Sequence, residues 1–165
     1  MGFAHSMICA MRVFFISFKD EQTLSVEPMP TVDLDDLENA MLFVGDPVDD
    51  AEAWVSRTTG AVYVRADHLG AGDLPVDIGT TNEYVAVPHP HDLDLGNELA
   101  FAFAKAQMPQ HYARVREIFR KKGAYANFSR LLEAENARDK WHTFRDEQTR
   151  QALDDWCREN GLELG

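Results

Sequence analysis

The run Pro88-His89-Pro90-His91-Asp92-Leu93-Asp94-Leu95-Gly96-Asn97-Glu98 is the densest group of potential metal ligands and acid–base side chains in the chain. In an extended backbone His89 and His91 project to the same side, as two imidazoles on one metal would, and Asp92, Asp94 and Glu98 add oxygen donors. The chemistry this set points to is metal-dependent hydrolysis through His89, His91 and Asp92. A zinc or iron site needs further ligands at defined spacing, and the chain has neither HExxH nor a second His pair. Read as a calcium loop, Asp92-x-Asp94-x-Gly96-Asn97 puts Asn97 where the turn glycine belongs and Phe103 where a bidentate Glu belongs. The simpler reading is a polar strand-to-helix loop, stiffened by prolines, with acids favouring the helix start. No cofactor is expected.

A second pattern lies in His111 to Gly123, where Arg114, Arg116, Arg120, Lys121 and Lys122 stand against Glu117 alone. Such a strip can hold phosphate, or it can be a solvated helix face whose cations sit near a helix C-terminus. The surrounding charge decides between them. The formal net charge is −12, and residues 1–110 carry 5 Lys and Arg against 18 Asp and Glu, while residues 111–165 carry 11 against 10. A body this acidic is repelled from nucleic acid at long range. The split predicts instead that the acidic part and the basic strip complement one another, within one molecule or across a homodimer, or that the strip meets a protein partner.

Other catalytic patterns are missing. There is no GxSxG, GxxxxGK[ST] or GxGxxG. Asp46, Asp49, Asp50 and Glu52 form an acidic loop more simply than an acid–base pair. His111 and His142 read as polar helix positions. Cys9 and Cys157 are far apart, in no CxxC arrangement and without an adjacent His, which suits a reducing cytoplasm and argues against a thiolate nucleophile. No run of about twenty apolar residues offers a membrane span.

The elements that would position these groups can be read from Thr31 onward. Asp33 to Met41 spaces Leu34, Leu37 and Met41 as a short helix with acids at its start, ended by Gly45-Asp46-Pro47. Ala51 to Arg57 and Ala61 to Ala66 form a hairpin across Thr58-Thr59-Gly60, and Asn82 to Val87 is a third strand. Asn97 is the expected cap of a helix over Leu99, Phe101, Phe103 and Ala106, checked at Met108-Pro109. Tyr112, Val115, Ile118 and Phe119 share the face of another helix, with Gly123 as its stop. Phe128, Leu131 and Leu132 follow. The last helix carries Trp141, Phe144, Ala152, Leu153, Trp156 and Cys157 along one broad stripe, with Asn136 and Asp139 as an imperfect start signal and Asn160-Gly161-Leu162 as its end. Trp141, Phe144 and Trp156 are expected to clasp this helix to the core. Strands in the first half and helices in the second argue for an α+β fold, a small antiparallel sheet packed with four to five helices. Residues 31–165 form one domain. Residues 1–30 are either an N-terminal extension or supply an extra strand over Arg12 to Phe18, and Pro28-Met29-Pro30 marks the boundary.

The succession of acidic helix, SRTTGAVYV hairpin, EYVAVP strand, GAYANFSRLLE and WHTFRDEQTRQALDDWCRENGLEL resembles the bacterial uncharacterised protein family 0158 over about Thr31 to Leu164. Tyr125 stands where that family would have phenylalanine, and Ser129-Arg130 where a basic residue is usual. The resemblance implies a small soluble bacterial α+β protein and brings no catalytic residues. Together these readings favour a non-catalytic cytoplasmic binding or regulatory protein. The alternatives are the hydrolase and a nucleic-acid-associated protein using the strip from Arg114 to Lys122.

Overall fold

The computed structural model describes residues 28–46, 50–66 and 74–165. Residues 12–18, the candidate extra strand, lie outside them, as do Cys9 and Asp49. Strand β1 (Thr31–Val32) leads into helix α1 (Leu34–Val44), followed by β2 (Glu52–Ser56), β3 (Val62–Arg65) and β4 (Tyr84–Ala86). The rest is helical: α2 (Asn97–Gln107), α3 (Tyr112–Ile118), α4 (Ala124–Ala134) and α5 (Arg138–Glu159), closed by β5 (Glu163–Leu164). The fold is α+β. None of the helices among the described residues is long and apolar enough to cross a membrane.

The sheet runs β3-β2-β4 and is antiparallel throughout. Because side chains alternate along a strand, Ala53 and Val55 face inward with Val62, Val64, Val85 and Val87. Trp54, Ser56, Tyr63 and Tyr84 occupy the opposite face, where the two tyrosine rings meet edge to face at 5.9 Å. Helix α1 starts where the Asp33 carboxylate accepts the Asp36 N–H at 3.1 Å, and it buries Leu37, Ala40 and Met41.

Among the described residues the buried apolar side chains form two clusters. One joins the inner sheet face, α1 and the end of α5 through Val55, Leu37, Leu153, Trp156, Cys157 and Leu162. The other joins α2, α3 and α4 around Phe103, Val115, Phe128 and Leu132, with Trp141 and Phe144 packed against it. Phe103 meets the Trp141 ring at 5.3 Å and Phe144 at 5.5 Å, and Phe128 meets Trp141 at 5.1 Å. Helix α5 therefore serves both clusters. At about 100° per residue, the Trp141/Phe144 direction and the Leu153/Trp156/Cys157 direction differ by about 140° around the helix. The expected single stripe is two short ones, and the polar stretch between them is exposed because neither cluster reaches it. Trp141, Phe144 and Trp156 do fasten α5, but to two different partners.

Three predicted boundaries are corrected. Gly96, not Asn97, precedes α2, and no side chain caps it. Gly123, at φ 72°, opens α4, because α3 has already ended at Ile118 in a turn. Asn136 takes φ 51° just past α4, so it closes that helix, while α5 starts after Ala137 without a side-chain cap. Gly161 and Leu162 end α5 as expected, with the Leu162 N–H on the Cys157 carbonyl at 2.9 Å.

Backbone pairing of β1 with β5 has no counterpart in the sequence reading. The strands are parallel, Thr31 opposite Glu163 and Val32 opposite Leu164. Two residues are too few for alternation to show. The hairpin turn locks onto this pair. Gly60, at φ 76°, lies so close to β1 that a Cβ would sit 2.1 Å from the Thr31 carbonyl oxygen. From the same turn, Arg57 donates to the Asn160 carbonyl and, at 2.9 Å, to the Asn160 Oδ1, so the guanidinium covers the C-terminal end of α5.

Candidate functional site

His89, His91 and Asp92 do not lie in an extended segment. Pro90–Leu93 forms a 3-10 turn preceded by His89, whose Nδ1 accepts the His91 N–H at 3.1 Å. The two imidazoles stack at 5.0 Å with 12° between their planes. The turn ends at Asp94 in the left-handed region, φ 56°. Stacked rings present their edges side by side, and one nitrogen of the pair already serves the backbone. Among the described residues, no group of three or more His, Cys, Asp or Glu side chains stands where it could hold a metal ion.

The basic strip is divided by the end of α3. Arg114 and Arg116 are exposed on the helix, whereas Arg120, Lys121 and Lys122 lie in the turn beyond it, and Arg120 pairs with Glu117. Arg114 and Lys121 join Arg130 of α4, with Glu117 among them, around a depression lined also by Ile118 and Leu131. Arg130 falls outside the predicted strip because it is nearly two turns into the next helix. Of the remaining candidates, Glu52 pairs with Arg65, His142 is exposed, and His111 Nε2 lies 3.1 Å from Glu135 Oε1, tying the start of α3 to the end of α4. Cys157 is fully buried, and burial followed by the Asp154 charge pushes its thiol up to about 11. It is held protonated near neutrality and is a poor nucleophile.

A cleft that no sequence pattern announced lies at the seam between the two clusters. Its volume is about 310 Å³. Met41 and Leu42 come from α1, Leu95 from the segment before α2, Leu99 from α2, Tyr125 from α4 and Trp141 from α5. Five segments thus converge, which explains why no local spacing could show it. Leu42 is 68% exposed and Tyr125 55%, so apolar surface continues onto the rim. The polar lining is small: Glu38, Arg145, Asp146 and Thr149.

Electrostatics separate these groups. Arg145 donates to the Asp146 carboxylate through Nε at 3.0 Å and a terminal nitrogen at 2.8 Å. Glu38 has no hydrogen-bond or ion-pair partner among the described residues. Its carboxyl is held above the usual range, first by burial and then by the Asp146 and Asp35 charges, against the opposing pull of Arg145 and Arg150. Burial and the Glu98 charge likewise push the Tyr125 phenol up. The cleft thus combines apolar side chains, the rings of Tyr125 and Trp141, and a carboxylate that makes no direct ion pair among the described residues.

No family model, curated protein or solved structure matches the chain.

Proposed function

We propose that this chain is a non-catalytic binding protein whose ligand site is the cleft between α1, α2, α4 and α5. The observation that carries this reading is the convergence of Met41, Leu95, Leu99 and Trp141 from separate segments on one concavity, with few polar groups among them. Location at the seam of two cores also suits regulation, since a ligand there touches both and stabilises their joint arrangement. A cytoplasmic, bacterial setting and membership of uncharacterised protein family 0158 belong to the same proposal, supported by the cysteine usage and by the GAYANFSRLLE and WHTFRDEQ segments. The hydrolase alternative has less support, because the histidines stack on one another instead of converging on a third ligand.

A second reading concerns partners. Arg114, Lys121 and Arg130 outnumber Glu117 around this depression, and an acidic face of a protein partner, or of another copy of this chain, is complementary to it. Binding energy there would come mainly from Ile118 and Leu131, since exposed charges contribute little in salt.

The tryptophans provide the test. Of the three in the chain, only Trp141 lines the cleft. Benzyl alcohol, a neutral aromatic probe, should change tryptophan emission saturably, with a Kd on the order of 1 mM as expected for a fragment of its size. The change should vanish in Trp141→Phe and persist in Trp54→Phe. A response that survives Trp141→Phe, or none at all in the native sequence, would refute the cleft as the site.

A further inference from the structure

We propose that the ligand of this cleft is an organic cation, an ammonium group carried on an aromatic or aliphatic body, with the charge at Glu38 and the body against Trp141, Tyr125, Leu95 and Leu99. This rests on the cleft being the ligand site, and it adds the chemical class of what enters.

Three features select a cation over an anion or a neutral molecule. First, the lining carries two carboxylates and one guanidinium, and the guanidinium is engaged by Asp146 through two nitrogens. Glu38 makes no direct ion pair among the described residues and is half-buried beside an apolar floor; Arg145 and Arg150 act on it only through longer-range attraction, which burial and the Asp146 and Asp35 charges outweigh. A carboxylate in that position loses hydration without gaining a partner, and an arriving ammonium supplies one. Second, the aromatic rings of Trp141 and Tyr125 line the same space, and aromatic faces attract ammonium groups most strongly where water is partly excluded. Third, the approach is favourable at long range. Asp35 lies about one turn before Glu38 on α1, and the whole chain bears −12, so at long range cations are attracted and anions repelled. The raised carboxyl of Glu38 agrees with this: burial and the neighbouring acids disfavour its charged form, and a cation placed beside it favours that form.

Arg145 sets the limit of the pocket. Paired with Asp146, it lines the cleft as its one cationic group and disfavours a second cationic centre placed beside it. A monocation with one apolar arm fits the arrangement better than a polyamine.

The experiment compares benzylamine, benzyl alcohol and benzoate, which share a ring and differ in charge, by calorimetry at low and physiological salt. Benzylamine should bind about tenfold more tightly than benzyl alcohol, and benzoate more weakly than either. In Glu38→Gln, which keeps the shape of the side chain, the ratio of benzylamine to benzyl alcohol affinity should fall to less than about twofold. A thermal melt of Glu38→Gln checks that the variant is folded. Equal binding of benzylamine and benzyl alcohol to the native sequence, or a benzylamine advantage that survives Glu38→Gln, overturns the cation assignment and leaves the cleft standing. Failure of all three probes to bind overturns the cleft itself.

Discussion

Trp156→Ala is expected to destabilise the fold by about 3 to 5 kcal/mol in denaturant melts, the range for emptying a large aromatic site in a core. Trp156 is 9% exposed and packs with Leu37, Val55, Leu153 and Leu162 where the sheet, α1 and the end of α5 meet. Because α5 also holds Trp141 against the helical cluster, loosening its C-terminal half weakens the attachment of one cluster to the other. A loss below about 1 kcal/mol would place the indole outside the core and make it a candidate interface residue.

Gly60→Ala should cost about 3 kcal/mol, from two separate causes. One is the left-handed backbone, φ 76°; the other is overlap of the new methyl with the Thr31 carbonyl. Gly161 isolates the first cause, since it has φ 75° and a methyl added there would meet nothing within 4 Å. Gly161→Ala should therefore cost only about 1 kcal/mol. Equal losses at the two positions would mean that the hairpin turn does not press on β1.

The hairpin, the third strand and most of the helices follow from sequence because their signals are local. Val62-Tyr63-Val64 alternates around a Thr-Gly turn, and Leu34, Leu37 and Met41 repeat at helical spacing. What escaped is set by distance along the chain. The β1–β5 pair joins residues 31 and 163, and each strand is only two residues long. Two of the three misplaced boundaries share another cause: Gly123 and Asn136 have residue types that mark a helix end, but type alone does not say which of two adjacent helices it serves, whereas Asn97 is displaced by a single residue. The cleft was hidden for the same reason as the parallel pair. Met41, Leu99, Tyr125 and Trp141 each read as an ordinary apolar helix position, and only their meeting at the seam makes them a site. The histidine loop showed the reverse: adjacent ligand-type residues were conspicuous in sequence, yet their side chains pack on one another.

Whether the seam cleft receives the ligand is tested most directly by intermolecular nuclear Overhauser contacts between benzyl alcohol protons and protein methyl groups. A ligand seated in the cleft gives contacts to the methyls of Met41, Leu95 and Leu99 and to the Trp141 ring. Contacts confined to Ile118 and Leu131 would contradict this and move the site to the basic depression between α3 and α4.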